Sequence, residues 1–304
     1  MLKAVIPVAG LGTRLLSATK EQPKEMLPIF SRDRGVLCVK PIVQVIFEEL
    51  FDIGIREFYF VVGRGKRAIE DHFSADLELI NSLNGHGKEA QALVMEKFYK
   101  KVMQSTIIWV NQPEPRGFGD AVLRAEPLVG GLSYSFNEPF LVAAGDTYLT
   151  SKLYDIPSWL ARTHENGQAE ATLTLKEVDD PRQYGVAEAV GMTSDSLSVE
   201  RVVEKPQHPS SKLAIMPLYV FNSSIFAALR NTRLDRHGEI QLTDAIQKLI
   251  DEGHKVQAIK LRNEDLHIDI GTPETYWQAL RLSYGQTSER ELLHAREAIA
   301  SYRN

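Results

Sequence analysis

Apolar runs alternating with helix-patterned segments constrain this chain more than any other feature. LKAVIPVA, EFYFVVG, TIIWVN and PFLVAAGD each carry a nearly unbroken apolar stretch, the pattern of strands covered on both faces. Helical patterns lie between them. PIVQVIFEELFDIGI places apolar residues at 42, 45, 46, 50 and 53 behind Pro41, which suits a first turn. Residues 66–104 are charged and mostly helical, with a turn at Asn84, Gly85, His86 and Gly87, and GDAVLRAEPLV is helical again. This succession predicts an α/β fold, a Rossmann-like mixed, mainly parallel sheet with helices on both faces.

Beyond residue 168 the texture changes. EATLTLKEV, YGVAEAV, LSVERVVEK and LAIMPLYVF are β-rich and closely spaced, which predicts antiparallel strands. SSIFAALRN and EIQLTDAIQKLIDEG read as helices, KVQAIKL as a strand, TPETYWQALRLSYGQ as a helix and 287–302 as a polar helical tail. No repeat or low-complexity linker separates the halves. One domain is therefore expected over 1–280, with a nucleotide-binding half at 1–150 and a sugar-phosphate half at 151–280, followed by a helical tail at 281–304.

The 304 residues carry a net charge of −5, which argues against a duplex nucleic-acid binder. No run of eighteen apolar residues predicts a membrane span. The single Lys before the first apolar run, broken at Gly10 and Gly12, reads as a first strand and not a signal peptide. Cys38 is the sole cysteine. It excludes an internal disulfide, fits a reducing cytoplasm and reads as a packed thiol. The eight histidines show no metal-ligand pairing, and His86, His208, His237 and His254 read as surface residues.

The first strand runs into Gly10-Leu11-Gly12-Thr13-Arg14. A glycine turn there sits at the carboxyl end of a parallel strand, where open α/β sheets bind ligands. Its backbone N–H groups can approach phosphate oxygens closely, and Arg14 and Lys24 add positive charge. Two common phosphate motifs do not fit. Leu15 stands where the dinucleotide fingerprint needs its third glycine, no acid closes the second strand at VVGRGKR, and G-K-[ST] is absent.

The longer stretch GLGTRLLSATKEQPKEMLPI resembles the signature of the sugar-1-phosphate nucleotidylyltransferases, G-x-G-T-R-L-x-P-x-T-x-x-x-P-K-x-M-L-P, with Ser17 in place of the usual proline. The resemblance implies that Ala9, Gly10, Gly12 and Thr13 belong to a loop holding nucleoside triphosphate phosphates, and that Arg14 and Lys24 clamp them. It continues along the chain. NQPEPRGFGDAV matches the segment in which Gln112 would hydrogen-bond a pyrimidine base and Gly117 would pack against it. VAAGDTYL supplies Asp146 and HIDIGTPETY supplies Asp269 as ligands of Mg²⁺. YGVAEA places the Gly185 backbone at the sugar. VVEKP gives Glu204 to the sugar hydroxyls and Lys205 to the sugar phosphate. Within the family, ATKEQPKEMLPI, the helical insertion at 66–104 and GEIQLTDAI resemble bacterial-type uridylyltransferases using UTP and glucose 1-phosphate. HIDIGTPE is closer to the thymidylyl form, and IMPLYVF lacks a basic residue often found before its Tyr, so dTTP and other sugar 1-phosphates stay open.

The implied reaction is in-line attack by a sugar-1-phosphate oxygen on the α-phosphorus of the triphosphate. The nucleophile is already an anion, so catalysis is positioning and charge neutralisation, consistent with the lack of a Ser-His-Asp or Cys-His arrangement. Plainer roles exist for each residue taken alone. Asp146 could cap a following helix, Asp269 could be an Asx-turn residue, Glu204 and Lys205 could be a solvated pair, and Gln112 could lie on a surface loop. Two rival classes are a non-catalytic nucleotide-sugar-binding regulator and an NAD-linked oxidoreductase; the second is disfavoured by the missing glycine and ribose acid. The resemblance also implies a homo-oligomer, dimer or tetramer.

Overall fold

The computed structural model describes residues 2–33, 36–129, 138–191 and 196–301, with side chains as far as Thr287. The first half contains β1 (Lys3–Pro7), β2 (Pro28–Asp33), β3 (Val36–Pro41), α1 (Ile42–Asp52), β4 (Glu57–Val62), α2 (Arg67–His72), α3 (Leu77–Gly85), α4 (Glu89–Met103), β5 (Thr106–Asn111), α5 (Gly117–Arg124), α6 (Glu126–Val129), β6 (Phe140–Ala143) and β7 (Thr147–Thr150). The second contains α7 (Ile156–Gly167), β8 (Ala171–Glu177), β9 (Gly185–Gly191), β10 (Leu197–Glu204), β11 (Leu213–Phe221), α8 (Ser224–Asn231), α9 (Leu242–Asp251), β12 (Val256–Lys260), β13 (Leu266–Asp269) and α10 (Pro273–Ser301). The boundary expected between 280 and 281 falls inside α10, and residues 302–304 of the expected tail lie outside the described residues.

Nine strands form one sheet in the order β5-β4-β1-β6-β11-β8-β12-β10-β9. The first four are mutually parallel, and β8 and β12 are parallel. β10 and β11 are the two reversed strands, each antiparallel to every strand it pairs with. The β-rich second half thus continues the parallel sheet, and a further pairing of β9 with β11 at Val186 and Ala214 curls its far edge back.

The apolar runs are unbroken because both sheet faces are covered. Strand residues alternate between faces. Ala4, Ile6, Phe58 and Phe60 enter a core under α1, α4 and α7. Val5, Tyr59, Val61 and Val142 enter a second core under α5, α8 and α9. The helical insertion docks through aromatic contacts: Phe73 lies 5.1 Å and Phe98 6.1 Å from Phe47 of α1. Each such buried ring stabilises by about 1.5–3 kcal/mol relative to exposure.

Two small sheets were not anticipated. β2 and β3 form a hairpin, tied to α1 by Lys40, which pairs with Glu48 at 2.6 Å and Asp33 at 3.6 Å. β7 pairs with β13, setting Thr147 opposite Asp269. Cys38 lies half-buried on β3, and His86, His208, His237 and His254 are exposed as expected. Among the described residues no helix is long and apolar enough to cross a membrane.

Candidate active site

The loop after β1 lies at the carboxyl end of the parallel strands. Val8 N–H donates to Val61 O, and Gly145 N–H donates to Pro7 O, joining the ends of β1, β4 and β6. Ala9 is buried against Gly63, while Gly10, Thr13 and Arg14 are exposed. Gly12 has φ of +64°, a conformation glycine adopts without penalty. The Thr19 hydroxyl donates to its carbonyl at 2.7 Å, closing the loop.

Lys24 reaches across to Asp146. The two form an ion pair and hydrogen bond with side chains only 15% and 19% exposed. A Cβ at Gly10 would sit 3.7 Å from the Lys24 ammonium, so this cation lies against the glycine loop. Behind it Glu25 pairs with Lys66 at 2.7 Å, both almost fully buried. Burial pushes the Glu25 carboxyl up, against the pull of Lys66 and Lys24. Lys66, Glu25, Lys24 and Asp146 therefore form a buried row of alternating charge.

Asp146 does not precede a helix. It leads into β7, and Asp155 caps the next helix by accepting from Ser158 N–H at 2.7 Å. The capping role is thus excluded. Asp269 closes β13 opposite, and Ile270 N–H donates to the Asp146 carbonyl at 3.1 Å. The Thr147 hydroxyl lies 3.3 Å from Asp146 Oδ1 and 3.4 Å from Asp269 Oδ1, between the carboxylates. Gly271 N–H donates to the Thr275 hydroxyl, so Asp269 does not close the Asx turn open to it on sequence. A Cβ at Gly271 would lie 2.8 Å from Asp269 Oδ2 and 3.7 Å from Arg14 Nη2, which places the Arg14 guanidinium at this turn.

The two acids differ electrostatically. Burial would raise Asp146, but the Lys24 ammonium and its hydrogen bond outweigh it and hold the carboxyl below its ordinary value. Burial and the neighbouring Asp146 push Asp269 up, only partly opposed by Lys24, Thr275 and Arg14. Among the described residues no group of three or more His, Cys, Asp and Glu side chains gathers, so the protein's own candidate ligands are these two carboxylates. Close hard-oxygen donors whose repulsion is incompletely neutralised suit Mg²⁺, which completes its shell with waters and phosphates.

The pyrimidine segment forms a second group. Gln112 is 4% exposed, not a surface residue. Its Nε2 donates to Gly117 O at 3.1 Å and to Asp120 Oδ2 at 2.7 Å. Gly117 has φ of +91°, and a Cβ there would come within 2.8 Å of Glu239 Cβ, so both backbone and space require glycine.

The third group is at the sheet's curled edge. Glu204 accepts from the Thr243 hydroxyl at 2.7 Å and pairs with Lys205 at 3.0 Å. A Cβ at Gly185 would lie 2.9 Å from Thr243 Oγ1 and 3.3 Å from Glu204 Oε2. Lys205 is more than half exposed, with φ of +41° and its N–H donating to Tyr184 O. No direct contact joins Lys205 to the acid pair among the described residues. Tyr184 links the groups: its hydroxyl is raised by burial and by Asp269, and its ring lies 6.2 Å from that of His267. Burial lowers His267 to about 4, so its imidazole is neutral at neutral pH. Thr147, Tyr184, Thr243, His267 and the Glu25–Lys66 pair are site residues that the sequence reading missed.

A glycine loop at the ends of parallel strands, two cations and a carboxylate pair define a phosphate-handling α/β enzyme site. The nucleotidyl transferase family profile matches residues 3–284, and the chain belongs to that family. It is 37% identical over 249 residues to the UTP–glucose-1-phosphate uridylyltransferase of Bacillus subtilis, covering 81% of this chain and 80% of the relative. Among solved structures, a UDP-glucose pyrophosphorylase complexed with UDP-glucose superposes with a TM-score of 0.78 at 28% identity, covering 94% of this chain and 100% of that one. A UTP-bound enzyme of the same kind from Acinetobacter baumannii gives 0.78 at 29% identity, covering 97% and 99%.

Proposed function

We propose that the chain transfers the uridylyl group of UTP to glucose 1-phosphate, giving UDP-glucose and pyrophosphate. A phosphate oxygen of glucose 1-phosphate bonds to the α-phosphorus of UTP. The bond from that phosphorus to the bridging oxygen breaks, and its electron pair leaves with pyrophosphate. The observation that carries this reading is the meeting of the glycine loop, Lys24, Arg14, Asp146 and Asp269 at one sheet edge, in a chain whose relatives are named for this reaction.

In this reading Ala9, Gly10, Gly12 and Thr13 bind the triphosphate through the loop. Arg14 and Lys24 hold the departing pyrophosphate, and Lys24 exchanges its Asp146 partner for phosphate oxygens as UTP binds. Gln112 and Gly117 hold the base from the 1–150 half. Gly185 and Glu204 hold the sugar, and Lys205 aims its phosphate, from the 151–280 half. Asp146 and Asp269, with Thr147 between them, would hold Mg²⁺, which supplies positive charge against two converging phosphates. His267, held neutral by burial, adds no competing cation beside that pair. The working form is a cytoplasmic homo-oligomer, dimer or tetramer.

A matrix of UTP, dTTP, CTP and ATP against several sugar 1-phosphates tests the reading. UTP with glucose 1-phosphate should be the best pair. dTTP is the second nucleotide to weigh, because HIDIGTPE takes the thymidylyl form and one methyl is worth only about 1–3 kcal/mol in a pocket. A dTTP or CTP efficiency well above that of UTP would overturn the uridylyl assignment.

A further inference from the structure

Gln112 offers a base only one face of its amide. Both Nε2 hydrogens are committed, one to Gly117 O and one to Asp120 Oδ2. Those partners only accept. A backbone carbonyl has no proton to give, and Arg124 grips the Asp120 carboxylate with Nη2 3.0 Å from Oδ1 and Nε 3.3 Å from Oδ2. A reversed Gln112 amide would press its carbonyl oxygen against two acceptors. The orientation is therefore dictated by the partners' chemistry. The frame is rigid: Gln112 N–H donates to Val62 O at 2.8 Å, Gly119 N–H donates to Ile240 O at 2.9 Å, and Ile240 N–H donates to Arg116 O at 2.7 Å. Gln112 Oε1 accepts nothing from any described residue, although the side chain is almost wholly buried. It is not among the side-chain atoms sealed from solvent, so it opens onto the site and is free to meet a donor.

We infer that Asp120, gripped by Arg124, is a positioning residue that locks Gln112 as an acceptor and so makes the base site select a pyrimidine bearing an N3–H. This rests on the reading that Gln112 meets the base. Uracil and thymine carry a proton on N3. Cytosine carries a lone pair there, which would face Gln112 Oε1 acceptor to acceptor. Cytosine could present its N4 amino group only by sliding along its edge and giving up the placement of its ribose and phosphates. Asp120 touches no substrate in this account; it acts through the Gln112 amide.

Asp120→Leu, close to aspartate in length, gives a test read as a ratio, which loss of packing cannot mimic. Asparagine would not serve, because its oxygen can stay at the Oδ2 position, where it accepts from both Gln112 Nε2 and Arg124 Nε. Leucine removes that acceptor, leaves Gln112 Nε2 only Gly117 O, and lets the amide turn its Nε2 to the base. Wild-type and variant are compared by kcat/KM for UTP and CTP with glucose 1-phosphate, and by calorimetric Kd for each nucleotide. The UTP:CTP preference should fall by roughly tenfold or more, the ratio that about 1.4 kcal/mol produces, with the glucose 1-phosphate KM unchanged. Arg124→Ala, at a half-exposed position, should relax the preference in the same direction by less, and serves if the first variant does not fold. Equal losses for UTP and CTP, or an unchanged ratio in the variant that folds, would overturn the inference. A wild-type protein that binds UTP over CTP yet makes no UDP-glucose would instead refute the proposed function, while the binding ratio still decides the role of Asp120.

Discussion

Asp146→Asn and Asp269→Asn should move stability in opposite directions while both abolish most activity. Asp146 is paired with a buried Lys24. Asparagine keeps the shape and an acceptor oxygen but turns a charge-assisted hydrogen bond into a neutral one. The difference between about 1.5–3 and about 0.5–1.5 kcal/mol sets a loss of roughly 1–2 kcal/mol, eased slightly because Asp269 loses a like-charged neighbour. Asp269→Asn keeps the Lys24–Asp146 pair and removes a carboxylate that burial and Asp146 already disfavour. Its metal-free stability should stay level or rise by up to about 1 kcal/mol. The assay is urea unfolding in EDTA beside turnover at saturating Mg²⁺. Both variants should lose about 10²–10³ in kcat, the scale of removing one preorganised electrostatic contact. A metal-free Asp146→Asn protein as stable as wild type, or an Asp269→Asn protein less stable than Asp146→Asn, would refute the charge assignment. Near-normal turnover in either variant would remove that residue from metal binding.

Lys205→Ala should raise the KM for glucose 1-phosphate by roughly tenfold or more, the effect of losing a charge-assisted contact of about 1.5–3 kcal/mol, with UTP affinity unchanged; the reverse split would exchange the two substrate sites. Lys66→Met should destabilise by about 3–5 kcal/mol because Glu25 is left buried and unpaired. Adding Glu25→Gln should recover much of that loss, and a strictly additive double variant would show that the pair is not coupled. Stability should fall on acidification, because burial holds His72 at about 4 in the folded chain against an ordinary 6.5. The unfolded chain takes up the proton first, so the contribution is complete above about pH 6.5 and is lost as pH falls toward 4. Melting temperatures of wild type and His72→Gln between pH 7.5 and 4.5 check this; parallel curves would contradict it.

The parts of the site written in one contiguous stretch were legible in the sequence. The loop from Gly10 to Arg14 and the following Lys24 lie together because one turn and its continuation carry them. The doubly buried strands announced themselves by having no polar alternation. What was not legible depends on pairing between distant segments. Taken alone, Asp146 could as well cap a helix, because a strand end followed by Thr-Tyr reads either way; only the motif resemblance made it a metal-ligand candidate, and the strand that faces it, β13, lies over a hundred residues onward. Thr147, His267 and Tyr184 matter only because that pairing and the curl of β9 bring them together. The β2–β3 hairpin escaped notice because Arg32 and Asp33 interrupt its apolar pattern and Lys40 and Glu48 supply its anchor from inside. Asp120 read as one polar residue in a helix start, since nothing in a linear pattern records that it accepts from Gln112.

The most direct measurement is pyrophosphate release by the purified chain given UTP, glucose 1-phosphate and Mg²⁺, with UDP-glucose quantified alongside and each substrate omitted in turn. Pyrophosphate should appear only when both substrates are present, in one-to-one proportion with UDP-glucose. Pyrophosphate or phosphate released from UTP alone, or tight binding of UTP and UDP-glucose without any turnover, would contradict the account; the second result would make the chain a nucleotide-sugar-binding protein.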